Sequence, residues 1–173
     1  DAVPGGSSSG AATSVAFGLA AAGIGSDTGG SVRIPSAWND LVGLKTTHGR
    51  LSVTGVVALC AQFDTVGPLC RSVEDAGLLL AILEGSRPAD LAGASLKGAR
   101  FAIIDTLTMD SLRDAPRAAF ESAVQRLQVA GATVTHIQMP EIHDAFDQAF
   151  NLYAADSYGH WRDLVDAHPE KMF

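Results

Sequence analysis

Cysteine is nearly absent from this chain: two occur in 173 residues, Cys60 and Cys70. They show neither metal-ligand spacing nor a disulfide framework, so they are expected as reduced thiols in a cytoplasmic protein. Charge is also scarce, at 18% of residues, and no block of like charge forms a sticky tail. Lys and Arg number 12 against 19 Asp and Glu, a net charge of −7. That balance disfavours nucleic acid and anionic membrane surfaces as partners. No signal-peptide pattern is seen in these residues. The longest apolar stretch, VAFGLAAAGIG, is too short and too rich in Gly and Ala to span a membrane.

What is present is apolar and small. Hydrophobic residues make up 47%, and there are 18 glycines. The mean hydropathy is +0.18. Such a composition indicates a folded, core-rich protein and excludes disorder. The chain starts at an Asp and runs at once into a Gly-rich motif, PGGSSSG. A specialised loop at the very start is expected of a piece of a longer chain.

The pattern predicts the following elements. A small-residue helix runs from Ala11 to Ala22 and is ended by Gly23 and Gly25. LVGLK (Leu41 to Lys45) reads as a short buried strand. GRLSVTGVVALCAQFDTVGPL reads as irregular, with Gly and Pro as punctuation. In SVEDAGLLLAILEG, Ser72 is an N-cap with Asp75 as its N3 partner, and Gly85 is the stop. SRPADLAGASLKGA reads as a surface linker. RFAIIDT and ATVTHIQM are strands flanking a helix that follows Asp114 and Pro116, which suggests a crossover in a parallel sheet. A last helix starts near Glu141, and its stripe of Ile142, Ala145, Phe146, Ala149, Phe150 and Tyr153 is expected to pack in a core. The organisation expected is a core over 1–85, a linker over 86–98 and a strand-helix-strand-helix extension over 99–173.

The densest stretch is GSDTGGSVRIPSA, residues 25–37. A phosphate cradle is one reading, because Gly-rich turns before helices expose N–H groups. A Walker loop needs a Lys before its Ser or Thr, and GSSSGAAT has none. The dinucleotide fingerprint fails at Thr28, where its third Gly belongs. Nucleophilic catalysis fits better. A serine needs a base, and its transition state needs donors aimed at an oxyanion. Gly29 and Gly30 leave N–H groups unshielded beside Ser31. A second serine cluster, Ser7 to Ser9, sits on another Gly-rich turn. There Gly6-Ser7-Ser8-Ser9-Gly10 also matches G-x-S-x-G with Ser8 central, a motif that needs a preceding strand. His136, His143, His160 and His168 read as surface or capping residues, and His48 as a turn residue. No cofactor or metal site is indicated.

PGGSSSGAA, GSDTGGSVRIPSA, LVGLKTTHGRLS and DTVGPLCRSVEDAGLLL, in that order, resemble the amidase signature family of serine hydrolases. The likeness is close over residues 4–85 and less distinctive over 98–160. It implies an α/β/α sandwich around a mixed sheet, of which this chain supplies part. It also implies a Ser–cis-Ser–Lys triad, with Ser31 as nucleophile and Ser7, after a cis peptide bond, as bridging serine. Thr28, Gly29, Gly30 and Ser31 match the oxyanion-hole segment, and Asp27 and Arg33 its polar supports, with Ser8 beside them. The substrate class implied is a small-molecule amide. Members include stand-alone amidases and the glutamine-hydrolysing component of tRNA-dependent amidotransferases. The family's catalytic Lys lies upstream of the double-Gly serine motif. Lys45 matches a structural position, and Lys97 and Lys171 match none, so this stretch alone is expected to be inactive. Thr46 stands where relatives have Pro, and Trp38-Asn39-Asp40 replaces small and Cys residues. A non-catalytic module that binds an anion through the same N–H groups is the alternative of another class.

Overall fold

The computed structural model describes residues 2–105, 107–110 and 112–171. They form two compact units: residues up to Asp90 together with those from Tyr153, and Leu91–Leu152.

The first unit is built on a three-stranded antiparallel sheet of order β1-β3-β2, with β1 at Gly23–Asp27, β2 at Val42–Gly43 and β3 at Thr65–Cys70. Helices α1 (Ser9–Ala16), α2 (Arg33–Trp38) and α3 (Val73–Glu84) pack on these strands. The core gathers Ala12 of α1, Val32 and Leu69 of β3, all fully buried, with Ala11 and Leu41 against them. Burying Leu69 alone contributes roughly 1.5–3 kcal/mol. The small residues of α1 let its backbone lie close to the sheet. Arg71 secures the far end of α1, donating from Nη1 to the carbonyls of Val15 (3.1 Å) and Ala20 (3.2 Å).

α3 follows the sequence closely. Ser72 Oγ accepts from the Asp75 amide at 3.0 Å, and Gly85 ends the helix in the left-handed region. Such an N-cap contributes about 1 kcal/mol. Two expectations need correction. Gly23 and Gly25 do not end a helix from Ala11 to Ala22. α1 stops at Ala16, and both glycines lie in β1, where a side chain on Gly23 would press on Ala11 and one on Gly25 would overlap Ser8. Nor is the DTVGPL stretch irregular: it is β3, the central strand. Gly67 is there because the carbonyl oxygen of Leu44 occupies the place a Cβ would need. Pro68 has no N–H to give, but its carbonyl accepts from the Leu44 amide at 3.0 Å.

In the second unit, β4 (Arg100–Ile104) and β5 (Thr133–Ile137) pair in parallel, joined through α4 (Leu107–Asp110) and α5 (Asp114–Val129). This is the expected strand-helix-strand unit. No helix or strand lies between Gly85 and Ala99. The last helix, α6, spans Glu141–Ala167. Among the described residues its apolar stripe is not covered as a core face would be: Phe146 is 55% exposed and Phe150 77%, while Ile142 and Tyr153 are half-buried. A helix stripe becomes core only where another element covers it. The second half of α6 is instead tied to the 58–64 loop. Trp161 Nε1 donates to the Ala58 carbonyl at 2.7 Å, Ser157 Oγ donates to the Leu59 carbonyl, and Gln62 Nε2 donates to Asp156 at 3.0 Å. Among the described residues, no helix is long and apolar enough to cross a membrane.

The two glycine environments give opposite predictions. Gly67→Ala places a methyl group on the Leu44 carbonyl and lowers unfolding stability by about 1–3 kcal/mol. Gly77→Ala, in α3 with open space beside it, raises stability by about 1 kcal/mol. Denaturant melts of the two variants check both signs.

Candidate active site

β1 ends at Asp27, which pairs with Thr65 at the start of β3. Two Asp-Thr dipeptides therefore meet at one end of the sheet, Asp27-Thr28 and Asp64-Thr65. Thr65 Oγ1 donates to the Asp27 carbonyl at 2.7 Å, and Thr28 Oγ1 donates to the Asp64 carboxylate.

Asp27 is fully buried. Its Oδ1 accepts from the Gly30 amide at 2.8 Å and from Arg33 Nη2 at 2.9 Å. Its Oδ2 accepts from the amides of Val32 (3.1 Å) and Arg33 (3.2 Å) and from Arg33 Nε (3.0 Å). The turn from Thr28 to Val32 is thus wrapped around one carboxylate. Gly30 takes φ +133° to close it, a backbone state L side chains rarely adopt. Burial alone would push the Asp27 carboxyl up. The Arg33 guanidinium and the Val32 and Arg33 amides outweigh it and hold the group below its ordinary range.

The Ser7 loop is fastened to this turn. The peptide bond between Gly6 and Ser7 is cis. The next amide, that of Ser8, donates to the Ser31 carbonyl at 3.1 Å, and Ser8 Oγ contacts the Ser26 carbonyl at 3.4 Å. Asn39 fastens the other end of the loop. Its Nδ2 donates at 2.7 Å both to the Pro4 carbonyl and to the Pro35 carbonyl of α2. Gly5 lies against Pro35, leaving only 3.0 Å between a built Cβ and Pro35 Cα. Asn39, read from the sequence only as a departure from the family pattern, therefore links the two serine loops.

Ser31 is half-buried and Ser7 exposed. The Gly30 N–H is turned inward onto Asp27. Among the described residues, the amides of Thr28, Gly29 and Ser31 make no hydrogen bond within the protein. Lys45 Nζ donates to the Thr46 carbonyl at 2.7 Å, and among the described residues no lysine donates to Ser7, Ser8 or Ser31. Residues 2–8, which lead into α1, carry neither helix nor strand, unlike the strand that directly enters a G-x-S-x-G elbow. His48 lies in a turn with Nε2 3.1 Å from the Ala61 carbonyl, and His136 pairs with Asp105 at 2.8 Å on an exposed face. Cys60 and Cys70 are buried free thiols. Burial pushes both up, and the Asp156 carboxylate adds to the effect at Cys60, so neither is an activated thiolate.

Sequence reasoning missed Asp64. It is 5% exposed and accepts from the amides of Leu59 (2.8 Å) and Cys60 (3.1 Å) as well as from Thr28. The Asp-Thr dipeptide, which occurs at 27–28, 64–65 and 105–106, was the available signal, but strand pairing was needed to connect the first two copies.

Comparison with known proteins identifies the family. The Amidase family model matches residues 1–171. The chain is 38% identical to the A subunit of glutamyl-tRNA(Gln) amidotransferase from Salinibacter ruber, over 95% of this chain and 37% of that protein. With the Helicobacter pylori counterpart it is 40% identical, over 82% of this chain and 34% of that protein. The crystal structure of the Thermotoga maritima counterpart superposes with a TM-score of 0.84 and 30% identity, covering 92% of this chain and 38% of that one. Peptide amidase of Stenotrophomonas maltophilia gives 0.78 and 32%, covering 96% and 37%. The chain thus spans little more than a third of the length of the relatives it matches, and its α/β fold is part of theirs. It belongs to the amidase family.

Proposed function

We propose that the protein hydrolyses the C–N bond of a small-molecule amide through an acyl-enzyme on Ser31. The observation that carries this reading is the hydrogen bond from the Ser8 amide to the Ser31 carbonyl, which holds the Ser7 loop against the Ser31 turn. Ser31 Oγ attacks the amide carbonyl carbon. Its proton passes to Ser7, whose hydroxyl both accepts and donates, and on to a neutral Lys expected ahead of this stretch. The carbonyl oxygen becomes an oxyanion facing the Thr28–Ser31 segment. The Thr28, Gly29 and Ser31 amides are its available donors, while the Gly30 amide shapes the turn through Asp27. The C–N bond then breaks, the amine leaves with a proton, and water hydrolyses the Ser31 ester. Asp27 and Arg33 hold the turn, and Ser8 anchors the loop of Ser7. A cytoplasmic setting goes with this reading, as do the two free thiols.

Identity over most of the chain to glutamyl-tRNA(Gln) amidotransferase components favours one specific second reading. In it the amide is that of glutamine, and the ammonia is passed on within a multi-subunit complex acting on charged tRNA. Turnover of glutamine only with companion proteins supports it, whereas free hydrolysis of simple amides supports a stand-alone enzyme. An anion-binding module is disfavoured, because it needs neither Ser31 nor Ser7.

A fluorophosphonate probe is expected to label Ser31 of the intact protein, and Ser31→Ala to abolish labelling. Ser7→Ala slows it about a hundredfold or more, the scale of lost acid–base assistance. Peptide mapping checks the site: label retained in Ser31→Ala, or found on Ser8, sinks the assignment.

Acid should loosen the same turn. Because the Asp27 carboxyl is held below its ordinary value, its stabilising contribution is complete above the unfolded-state pKa of about 3.9. It is lost as pH falls through the lower folded value. Thermal melts from pH 7 down to pH 2 should show the decline, and Asp27→Asn should be less stable at pH 7 with a shallower acid slope.

A further inference from the structure

We propose that Asp64 is a positioning residue for the oxyanion turn, acting through the hydroxyl of Thr28. This rests on the amidase reading above.

The case is geometric. The peptide plane between Thr28 and Gly29 carries the Gly29 N–H. Gly29 is exposed, and a Cβ built on it would meet nothing within 4 Å, so packing does not fix that plane. Its orientation depends on what holds either side. On the far side Gly30 is fastened to Asp27 by the 2.8 Å amide bond. On the near side the Thr28 hydroxyl is held by Asp64. With both neighbours fixed, the intervening amide has little freedom to turn away.

Asp64 is suited to serve as an anchor because it cannot itself move. It is buried, its Oδ2 accepts from the Leu59 amide at 2.8 Å and the Cys60 amide at 3.1 Å, and its Oδ1 lies 3.2 Å from the same Cys60 amide. The loop it closes is held in turn by α6, through Trp161 to Ala58 and Ser157 to Leu59. A carboxylate is the side chain that can take donors from two sides at once. Asn, of the same shape, would turn an N–H₂ toward donors.

The test is the kinetics of Ser31 labelling by a fluorophosphonate in the intact protein, resolved into the maximal rate kinact and the apparent affinity KI. The phosphoryl oxygen of the probe stands in for the oxyanion. Losing a whole oxyanion donor costs a hundredfold or more, so misaiming one is expected to lower kinact about tenfold. Asp64→Asn and Thr28→Val should each do so with KI unchanged. Thr28→Ser, which keeps the hydroxyl, should recover most of the kinact that Thr28→Val loses. The double variant Asp64→Asn with Thr28→Val should be about tenfold slow, not a hundredfold, since both changes break one contact. If Asp64→Asn does not fold, Thr28→Val against Thr28→Ser decides alone. Additive losses, a change confined to KI, or a Thr28→Val protein that labels at the parent rate overturns the proposal. A parent protein that fails to label at Ser31 sinks the amidase reading instead, and this inference with it.

Discussion

The local structure depends on one buried anion. The Asp27 carboxylate collects five N–H donors from Gly30, Val32 and Arg33, in a stretch that would otherwise be an unsupported Gly-rich turn. Carboxylates accept such bonds strongly because the charge assists each one. A buried charge without partners would be costly, so turn and carboxylate require each other. The turn cannot open without stranding the anion, and the anion cannot be buried without the turn. This places Ser31 at a defined point just past the edge of the sheet, at the start of α2.

From that point the constraints propagate outward through short polar links. Ser31 holds the Ser8 amide, and Asn39 at the end of α2 holds Pro4, so the first loop is fastened at two places to the second. Both loops lie over a core of small residues and Leu69, where α1 comes close enough to β1 that Gly23 and Gly25 have no room for side chains. Close approach of backbone elements brings the two serine loops together. The apolar core supplies the stability and the polar links supply the registration.

What the sequence made legible was local. Ser72, Asp75 and Gly85 delimit α3 because a cap and its helix are neighbours in the chain. The apolar runs around Ile103 and Val134 read as strands for the same reason, and four ordered motifs carried the family. What stayed hidden was decided by partners distant in sequence. Gly67 and Pro68 look like breakers until Leu44 is seen filling one place and bonding to the other. Asp64 looks like an ordinary loop acid until β1 and β3 pair and bring Thr28 to it. The stripe of α6 misled in the opposite sense. Its periodicity guarantees an apolar face, but a face becomes core only when something lies over it.

The charge at Asp27 raises a question of its own. A full anion behind an oxyanion turn would repel the charge that develops in the proposed reaction, by about 4 kcal/mol for unit charges about 4 Å apart at an effective dielectric constant of about 20. Arg33 removes that conflict. Its guanidinium meets both oxygens of Asp27, at 2.9 and 3.0 Å, and its side chain remains half exposed. The pair is neutral in sum, so the turn is shaped by a carboxylate without presenting a net negative field to the reaction. A neutral acceptor such as Asn would avoid the repulsion but could not gather five donors. The Asp-Arg pair does both, which explains physically why the two residues occur together in this turn.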